Sequence, residues 1–292
     1  MTSYDRLQAL SEKQLFFIVG ASKSGTTWLQ LLLDGHPAIC SRGEGHFIDN
    51  LMPFLSQALL TYNQKSLERN DAAKAIGWEA NCPIFDGDDF AFLVRTAVLR
   101  AFDRWIDDDS VTCIGDKTPE HAIGMDELSD LFPTSRFIHI LRDGRDVCLS
   151  GWLFAQNRDA DAVKNMTMVE YVSAYADAWC NRVTSARAFG AAHPDRFHEI
   201  RYETLHGDLD VEVARVLDFL GVDNGAEMVA ACRQAGAFET SSGGRERGEE
   251  DKTSFFRKGV IGDHRNHFDE ETYAAVEKAA GPLLRELGYD RA

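Results

Sequence analysis

At 292 residues the chain is long enough for one large α/β domain, or two small ones, around a buried core. Hydrophobic residues make up 44% and charged residues 27%, ordinary proportions for a soluble globular protein. A net charge of −16 argues against nucleic acid as a partner, because a phosphate backbone needs a broad basic surface, whereas a small anionic ligand needs only a local cluster of donors. The cysteines Cys40, Cys82, Cys113, Cys148, Cys180 and Cys232 are scattered with no C-x-x-C pair, so they read as reduced core thiols and not as a disulfide set or zinc site. The start, MTSYDRLQALSEKQ, lacks a basic stretch leading into an apolar one, and no apolar run reaches about 18 residues. No membrane span is expected, and the cytoplasm is the default location.

In chain order, LFFIV (15–19) is an apolar run that Gly20 stops, which predicts a buried parallel strand. Residues 26–34 read as a helix and Ile39–Cys40 as a second short strand. Apolar spacing at Phe92, Val94, Val98, Leu99 and Phe102 predicts a helix over 89–106. VTCIG (111–115) and RFIHIL (136–141) read as buried strands, 143–155 and 168–189 as helices, and RFHEIRY (196–202) as a further strand. Helices are expected at about 209–220, 225–235 and 269–287. Strands alternating with helices predict an α/β fold, a three-layer α/β/α arrangement with a central parallel sheet covered on both faces. No internal repeat or domain boundary interrupts the pattern, so a single domain over 1–292 is expected, with its core at about 15–287. The polar, Gly-rich stretch 239–254 is long for a structureless connection and reads as a mobile loop, a candidate lid.

Gly20 to Gly25 has the spacing G-x-x-x-x-G between the first strand and the first core helix. Backbone amides in such a loop form a nest for an anion at a helix N-terminus. A nucleotide triphosphatase would follow the second Gly with Lys; here Thr26 and Thr27 follow, and the lysine is Lys23, on the crest of the loop. A bare strand–helix turn would need the glycines but not the surrounding Ser22, Lys23, Ser24, Thr26 and Thr27. Further along, FIHILRDGRDVCLSGW (137–152) places Arg142 at a strand end and Ser150 eight residues later, where a guanidinium fork and a hydroxyl can converge on one phosphate. Arg145, Asp143 and Asp146 read as surface or supporting charges.

KSGTTW (23–28) resembles the 5′-phosphosulfate loop of the sulfotransferases that use 3′-phosphoadenosine 5′-phosphosulfate (PAPS). The resemblance implies a P-loop-NTPase-like sulfotransferase fold, with Lys23, Ser24, Gly25, Thr26 and Thr27 on the donor. Arg142 and Ser150 match that family's 3′-phosphate pair. FFRKGVIGDHRNHF (255–268) resembles its C-terminal segment, which implies that Arg257, Lys258 and Gly259 close over the 3′-phosphate. His264 stands where Trp is usual and Arg265 where Lys is usual. Tyr202 in RYETL, Phe238 and Trp28 stand where the family places aromatics near adenine. Together the motifs run through about residues 15–287.

SRGEGHF (41–47) resembles the K-E-x-H-F stretch of carbohydrate-type sulfotransferases and implies Glu44 as base with His46 assisting. GDKTPEH (115–121) resembles their Lys-Ser/Thr-Pro segment and implies Lys117. Phenol and steroid sulfotransferases instead use a His just after a Lys-Thr pair; His121 lies near that place, offset by two residues. Glu44 is favoured, with His46 and His121 as alternatives. The implied reaction moves a sulfuryl group from PAPS to a hydroxyl of a small-molecule, lipid or carbohydrate acceptor and leaves PAP. A sulfuryl group carries less charge than a phosphoryl group, so no metal is demanded. Phe47, Leu51, Phe54, Trp152 and Phe154, from the 47–90 and 152–170 regions, hint at an apolar or amphipathic acceptor. A small-molecule kinase and a non-catalytic PAP-binding protein are the rival readings, and a homodimer is left open.

Overall fold

The computed structural model describes residues 2–106, 108, 110–158, 160–246, 248–249, 251 and 258–289. Five parallel strands form one sheet: β1 (Gln14–Gly20), β2 (Ile39–Arg42), β3 (Cys113–Lys117), β4 (Arg136–Leu141) and β5 (Phe197–Arg201), in the spatial order β2-β3-β1-β4-β5. The helices are α1 (Ser3–Ser11), α2 (Thr26–Leu33), α3 (Met52–Ala75), α4 (Gly87–Asp103), α5 (Met125–Leu131), α6 (Gly144–Arg158), α7 (Ala160–Val163) and α8 (Met168–Ala192). They continue with α9 (Tyr202–Gly207), α10 (Leu209–Leu220), α11 (Ala226–Ala235), α12 (Phe238–Ser242) and α13 (Glu270–Glu286).

The LFFIV run is apolar throughout because β1 is central and covered on both faces. Alternate side chains of a strand point to opposite faces. Leu15, Phe17 and Val19 pack with Val98, Phe102, Leu128 and Phe189 of α4, α5 and α8. Phe16 and Ile18 pack on the other face with Leu29, Leu32, Val213 and Cys232 of α2, α10 and α11. The result is the expected three-layer α/β/α arrangement. A third cluster joins Ala21 and Leu141 to α6, α8 and α13. Among the described residues, no helix is long and apolar enough to cross a membrane.

Several expectations are corrected. The third strand runs over Cys113–Lys117, two residues later than expected, because its partners decide its span: it is hydrogen-bonded between β1 and β2, with Ile18 beside Lys117 and Arg42 beside Asp116. The polar pair Asp116–Lys117 therefore belongs to a buried strand. Helix α4 starts at Gly87, where Asp86 and Asp89 form a capping box, and ends at Asp103. Val94, Val98 and Phe102 face the core, but Phe92 is 62% exposed. Helix α3 has no forerunner in the apolar pattern: only Ser66 and Ala73 among its residues are buried, so it carries no apolar stripe. Helix α12 occupies the start of the stretch expected to be a loop; residues 247, 250 and 252–254 of that stretch lie outside the described residues.

Phe17 is completely buried, with ring centroids of Phe137, Phe132 and Phe102 at 5.4, 6.3 and 6.5 Å. Phe17→Ala is expected to lower stability by about 3–5 kcal/mol, read as a shift of the denaturant midpoint at unchanged slope.

Candidate active site

The carboxyl ends of β2, β3, β1 and β4 lie side by side, and the segments that leave them build the site, as is general for open α/β sheets. After β1 the chain turns through a backbone that few residues adopt. Gly25 has φ +101°, and a Cβ there would stand 2.6 Å from the Tyr202 ring. Lys23 holds φ +75°, a left-handed conformation that costs a non-glycine residue on the order of 1–3 kcal/mol. Helix α2 starts directly afterwards at Thr26, so its first amides face the loop. Ser24 is buried and its Oγ has no hydrogen-bond partner among the described residues. Buried polar oxygens are normally satisfied, so this hydroxyl suits an anion's oxygen.

The Lys23 Nζ lies 3.8 Å from the centroid of the Phe154 ring. Burial, followed by repulsion from Arg142 and Lys117, lowers its pKa to about 8; the Glu44 charge opposes the shift. Arg142, at the end of β4, ties three parts together. It donates to the Lys23 carbonyl (3.1 Å) and the Val260 carbonyl (3.2 Å), and its guanidinium stands 4.4 Å from the Tyr202 ring centroid. Its Nε is buried without a hydrogen-bond partner among the described residues. Ser150 is half-buried on α6, eight residues further on.

Asp143, Arg145 and Asp146 are buried, so of the two readings, surface or supporting charges, they fit the supporting one. Arg145 grips Asp143 through Nε (3.0 Å) and Nη2 (2.7 Å). Asp146 accepts from the Gly262 and His264 amides at 2.6 and 3.1 Å and so pins the C-terminal segment against α6. Lys258 donates to Asp263 (2.9 Å), and the Gly259 carbonyl lies 3.2 Å from His206 Nε2. His264 fills its buried position with Nδ1 2.9 Å from the Tyr273 hydroxyl, and burial lowers its pKa. Arg257 lies outside the described residues. The expected adenine-side aromatics are all buried: Trp28 meets Tyr202 edge-on at 5.5 Å and donates to the Gly236 carbonyl (2.9 Å), and Phe238 has the Arg245 guanidinium 5.6 Å from its ring.

On the other side of β1, Lys117 at the end of β3 forms an ion pair with Glu44 Oε1. The lysine side chain is nearly buried and the Glu44 side chain is 43% exposed, so the carboxylate opens outward. His46 places Nε2 3.5 Å from the other Glu44 oxygen and Nδ1 2.8 Å from Asp49, whose hydrogen bond is the main reason its pKa is raised. Glu44, Gly45, His46, Asn50, Leu51, Phe54 and Leu55 line an open cleft of about 630 Å³.

His121 does not join them. It is completely buried, accepts the Phe47 amide at Nε2 (3.0 Å), and has Nδ1 3.2 Å from Asp116. It faces the core as a scaffold for residues 45–47, which speaks against its reading as a base and equally against a surface position. Of the apolar residues expected around an acceptor, Leu51 and Phe54 line the cleft and Phe154 underlies Lys23, whereas Phe47 and Trp152 are buried. Asp49, Asp116 and Glu120 escaped the sequence reading. Asp116 directly precedes Lys117, and its Oδ1 accepts the Gly45 amide (2.7 Å); that adjacency was the one available signal.

A model of the sulfotransferase family matches residues 16–225, and the chain belongs to that family. It is 26% identical over 295 residues to nodulation protein NoeE of Sinorhizobium fredii, covering 94% of this chain and 66% of that protein. It is 26% identical over 184 residues to omega-hydroxy-beta-dihydromenaquinone-9 sulfotransferase Stf3 of Mycobacterium bovis, covering 60% and 41%. Cytosolic sulfotransferase 17 of Arabidopsis thaliana is 23% identical over 187 residues, covering 55% and 54%. The chain thus spans between 41% and 66% of the length of these relatives. Its fold is that of mouse sulfotransferase SULT7A1 complexed with PAP (TM-score 0.56, 17% identity, 99% of this chain and 93% of that one). It is also that of the sulfotransferase domain from the curacin biosynthetic pathway (TM-score 0.53, 17% identity, 96% and 99%).

Lys23 gives a pH prediction. An anion at the loop favours the charged ammonium and raises its pKa again. Below pH 7 Lys23 is protonated with or without the anion; above about 8 the free protein loses that proton and the complex keeps it. Binding of a phosphate ester is therefore expected to take up a proton near pH 8.5 and to weaken as pH rises through that range. Calorimetry in two buffers of different ionisation enthalpy measures the uptake, and Lys23→Met should abolish it.

Proposed function

We propose that the chain transfers the sulfuryl group of PAPS to a hydroxyl of an amphipathic acceptor, releasing PAP and a sulfate ester. The observation that carries this reading is the placement of Lys23, on the loop leaving β1, near Lys117, at the end of the neighbouring strand β3, which pairs with Glu44 on the loop leaving β2; the Arg142 contacts join the same crest to residue 260. The fit of the donor rests on the buried unpartnered Ser24 hydroxyl and Arg142 Nε and on the amide face of α2. Ser24, Gly25, Thr26, Thr27 and Lys23 hold the 5′-phosphosulfate in this reading. Arg142, Ser150, Arg257, Lys258 and Gly259 hold the 3′-phosphate, and Trp28, Tyr202 and Phe238 surround the base.

PAPS, when bound, supplies an activated sulfuryl group on a phosphate leaving group. Glu44 takes the acceptor's hydroxyl proton, because its carboxylate is the acid that opens to the cleft. The Lys117 ammonium fixes one of its oxygens and leaves the other toward His46. The Lys23 ammonium, excluded from much of the solvent, donates to the oxygen on which charge grows as sulfur leaves it. Positioning and electrostatics of this kind need no covalent intermediate on the protein. Leu51, Phe54 and Leu55 give the cleft an apolar wall beside its polar floor, which supports an alcohol with an apolar body. A relative named for an omega-hydroxy menaquinone acceptor agrees with an alcohol of that kind.

Turnover with labelled PAPS against a panel of alcohols, phenols, lipids and sugars tests the reading, and transfer to none of them would defeat it. Arg142→Ala is expected to weaken PAP binding by about 1.5–3 kcal/mol, measured by titration calorimetry, because a charged phosphate partner is lost. Glu44→Gln preserves size but cannot take up the proton; turnover is expected to fall roughly 10²–10⁴-fold while PAP affinity stays close to that of the parent.

A further inference from the structure

Lys23 keeps a left-handed backbone without being glycine, and the surrounding bonds explain how. The Ser22 hydroxyl donates to Glu120 Oε1 at 2.7 Å. The Tyr175 hydroxyl donates to the Ser22 carbonyl at 3.3 Å, from α8. Arg142 donates to the Lys23 carbonyl at 3.1 Å. The crest is thus gripped from three elements, and only Arg142 among the three belongs to the phosphate-binding set.

Glu120 sits in the one-turn 3-10 segment Pro119–Ile123 that follows β3. The same stretch supports the base segment. Asp116 Oδ1 and Thr118 Oγ1 accept the Gly45 amide at 2.7 and 3.0 Å, Lys117 pairs with Glu44, and His121 accepts the Phe47 amide at 3.0 Å. The stretch 116–121 therefore touches both halves of the site: the donor loop through Glu120, and the base loop through Asp116, Lys117, Thr118 and His121. Pro119 stiffens the turn by fixing its own φ.

We propose that Glu120 is a positioning residue. Through Ser22 it holds the Lys23 crest in register with Glu44, so that one rigid strand end sets the separation between the group that stabilises the leaving oxygen and the group that takes the proton. This assignment rests on the sulfuryl-transfer reading above for its effect on turnover, but the clamp itself is a property of the free protein. Its role is to accept a hydrogen bond, and its charge is not required.

The test uses the full chain and four variants, with thermal unfolding to confirm that each is folded. Glu120→Ala and Ser22→Ala are each expected to lower kcat about 10- to 100-fold with KM for PAPS little changed, since a misplaced catalytic group costs turnover more than binding. The double variant should be no slower than the worse single, because both remove one bond. Glu120→Gln, which still offers an oxygen to Ser22, should recover most of the loss. Hydrogen exchange gives a readout independent of activity. The Ser24 amide is bonded to the Ala21 carbonyl at 3.0 Å inside the loop, and peptides covering 20–28 should exchange faster in Glu120→Ala and Ser22→Ala but not in Glu120→Gln. Full turnover in Glu120→Ala, multiplicative losses in the double variant, or Glu120→Gln as slow as Glu120→Ala would each overturn the clamp. If the parent moves no sulfuryl group from PAPS yet exchange follows the expected order, the clamp stands and the assigned reaction is what fails.

Discussion

Strand β1 is hydrogen-bonded along both edges, to β3 on one side and β4 on the other, and both of its faces are buried. Everything in the site depends on that pairing. The register sets Lys117 beside Ile18 and Ile140 beside Gly20, so the three chains leave the sheet at nearly the same height. Neighbouring strands lie about 4.8 Å apart. Lys23, far in sequence from both Lys117 and Arg142, then lies within reach of them. Burial lowers the pKa of Lys23, and Arg142 and Lys117 push against its charge in the same direction. A protein with a net charge of −16 thus gathers cations in one place at the cost of mutual repulsion, a repulsion that an anion placed among them would relieve.

Buried carboxylates hold this arrangement from behind. Asp146 has no exposure to speak of, and burial of a carboxylate is costly unless it is paired or hydrogen-bonded. Two backbone amides of the 262–264 turn satisfy it, which fastens the C-terminal segment over the end of β4. Asp116 does the same for Gly45 on the opposite side. Each acid exchanges a desolvation cost for charge-assisted bonds to backbone that would otherwise be loop. The outcome is two loops, one on each flank of the donor loop, that are placed by acids lying within or just beyond strands and not by the loops' own sequence. His264 belongs to this scheme: where Trp is usual in the segment it resembles, an imidazole bonded to Tyr273 occupies the buried position beside Asp143.

The strands and the core helices were legible because burial leaves a pattern. Residues 15–19 are a continuous apolar run and 136–141 one interrupted only by Arg136 and His139, because both their faces are covered, and the helix around Val94, Val98 and Phe102 shows the period of a half-buried surface. Helix α3 left none, since its two buried residues, Ser66 and Ala73, are small and not strongly apolar. The donor loop was legible for a different reason. Gly20, Gly25, Lys23 and the hydroxyls beside them are consecutive, and a tight turn into a helix is a local event with local requirements.

The division between Glu44 and His121 was not legible. Both follow short strands, and both are residue types suited to taking a proton. Which one faces the cleft depends on where β3 ends, and that end is fixed by pairing with β1 and β2 and not by the residues of 111–121 themselves. Once Asp116 and Lys117 are strand, their side chains point to opposite faces: Lys117 reaches Glu44, and Asp116 turns toward His121 in the core. The grip of Glu120 and Tyr175 on Ser22 is likewise a contact across 98 and 153 residues. By itself the sequence determined the strand–helix alternation, the tight Gly20–Gly25 turn into α2 and the family, because these rest on short-range chemistry. The tertiary structure alone decided which acid opens to the cleft, which histidine is scaffold and what holds the Lys23 crest, because those follow from strand register, and register is settled between segments far apart in the chain.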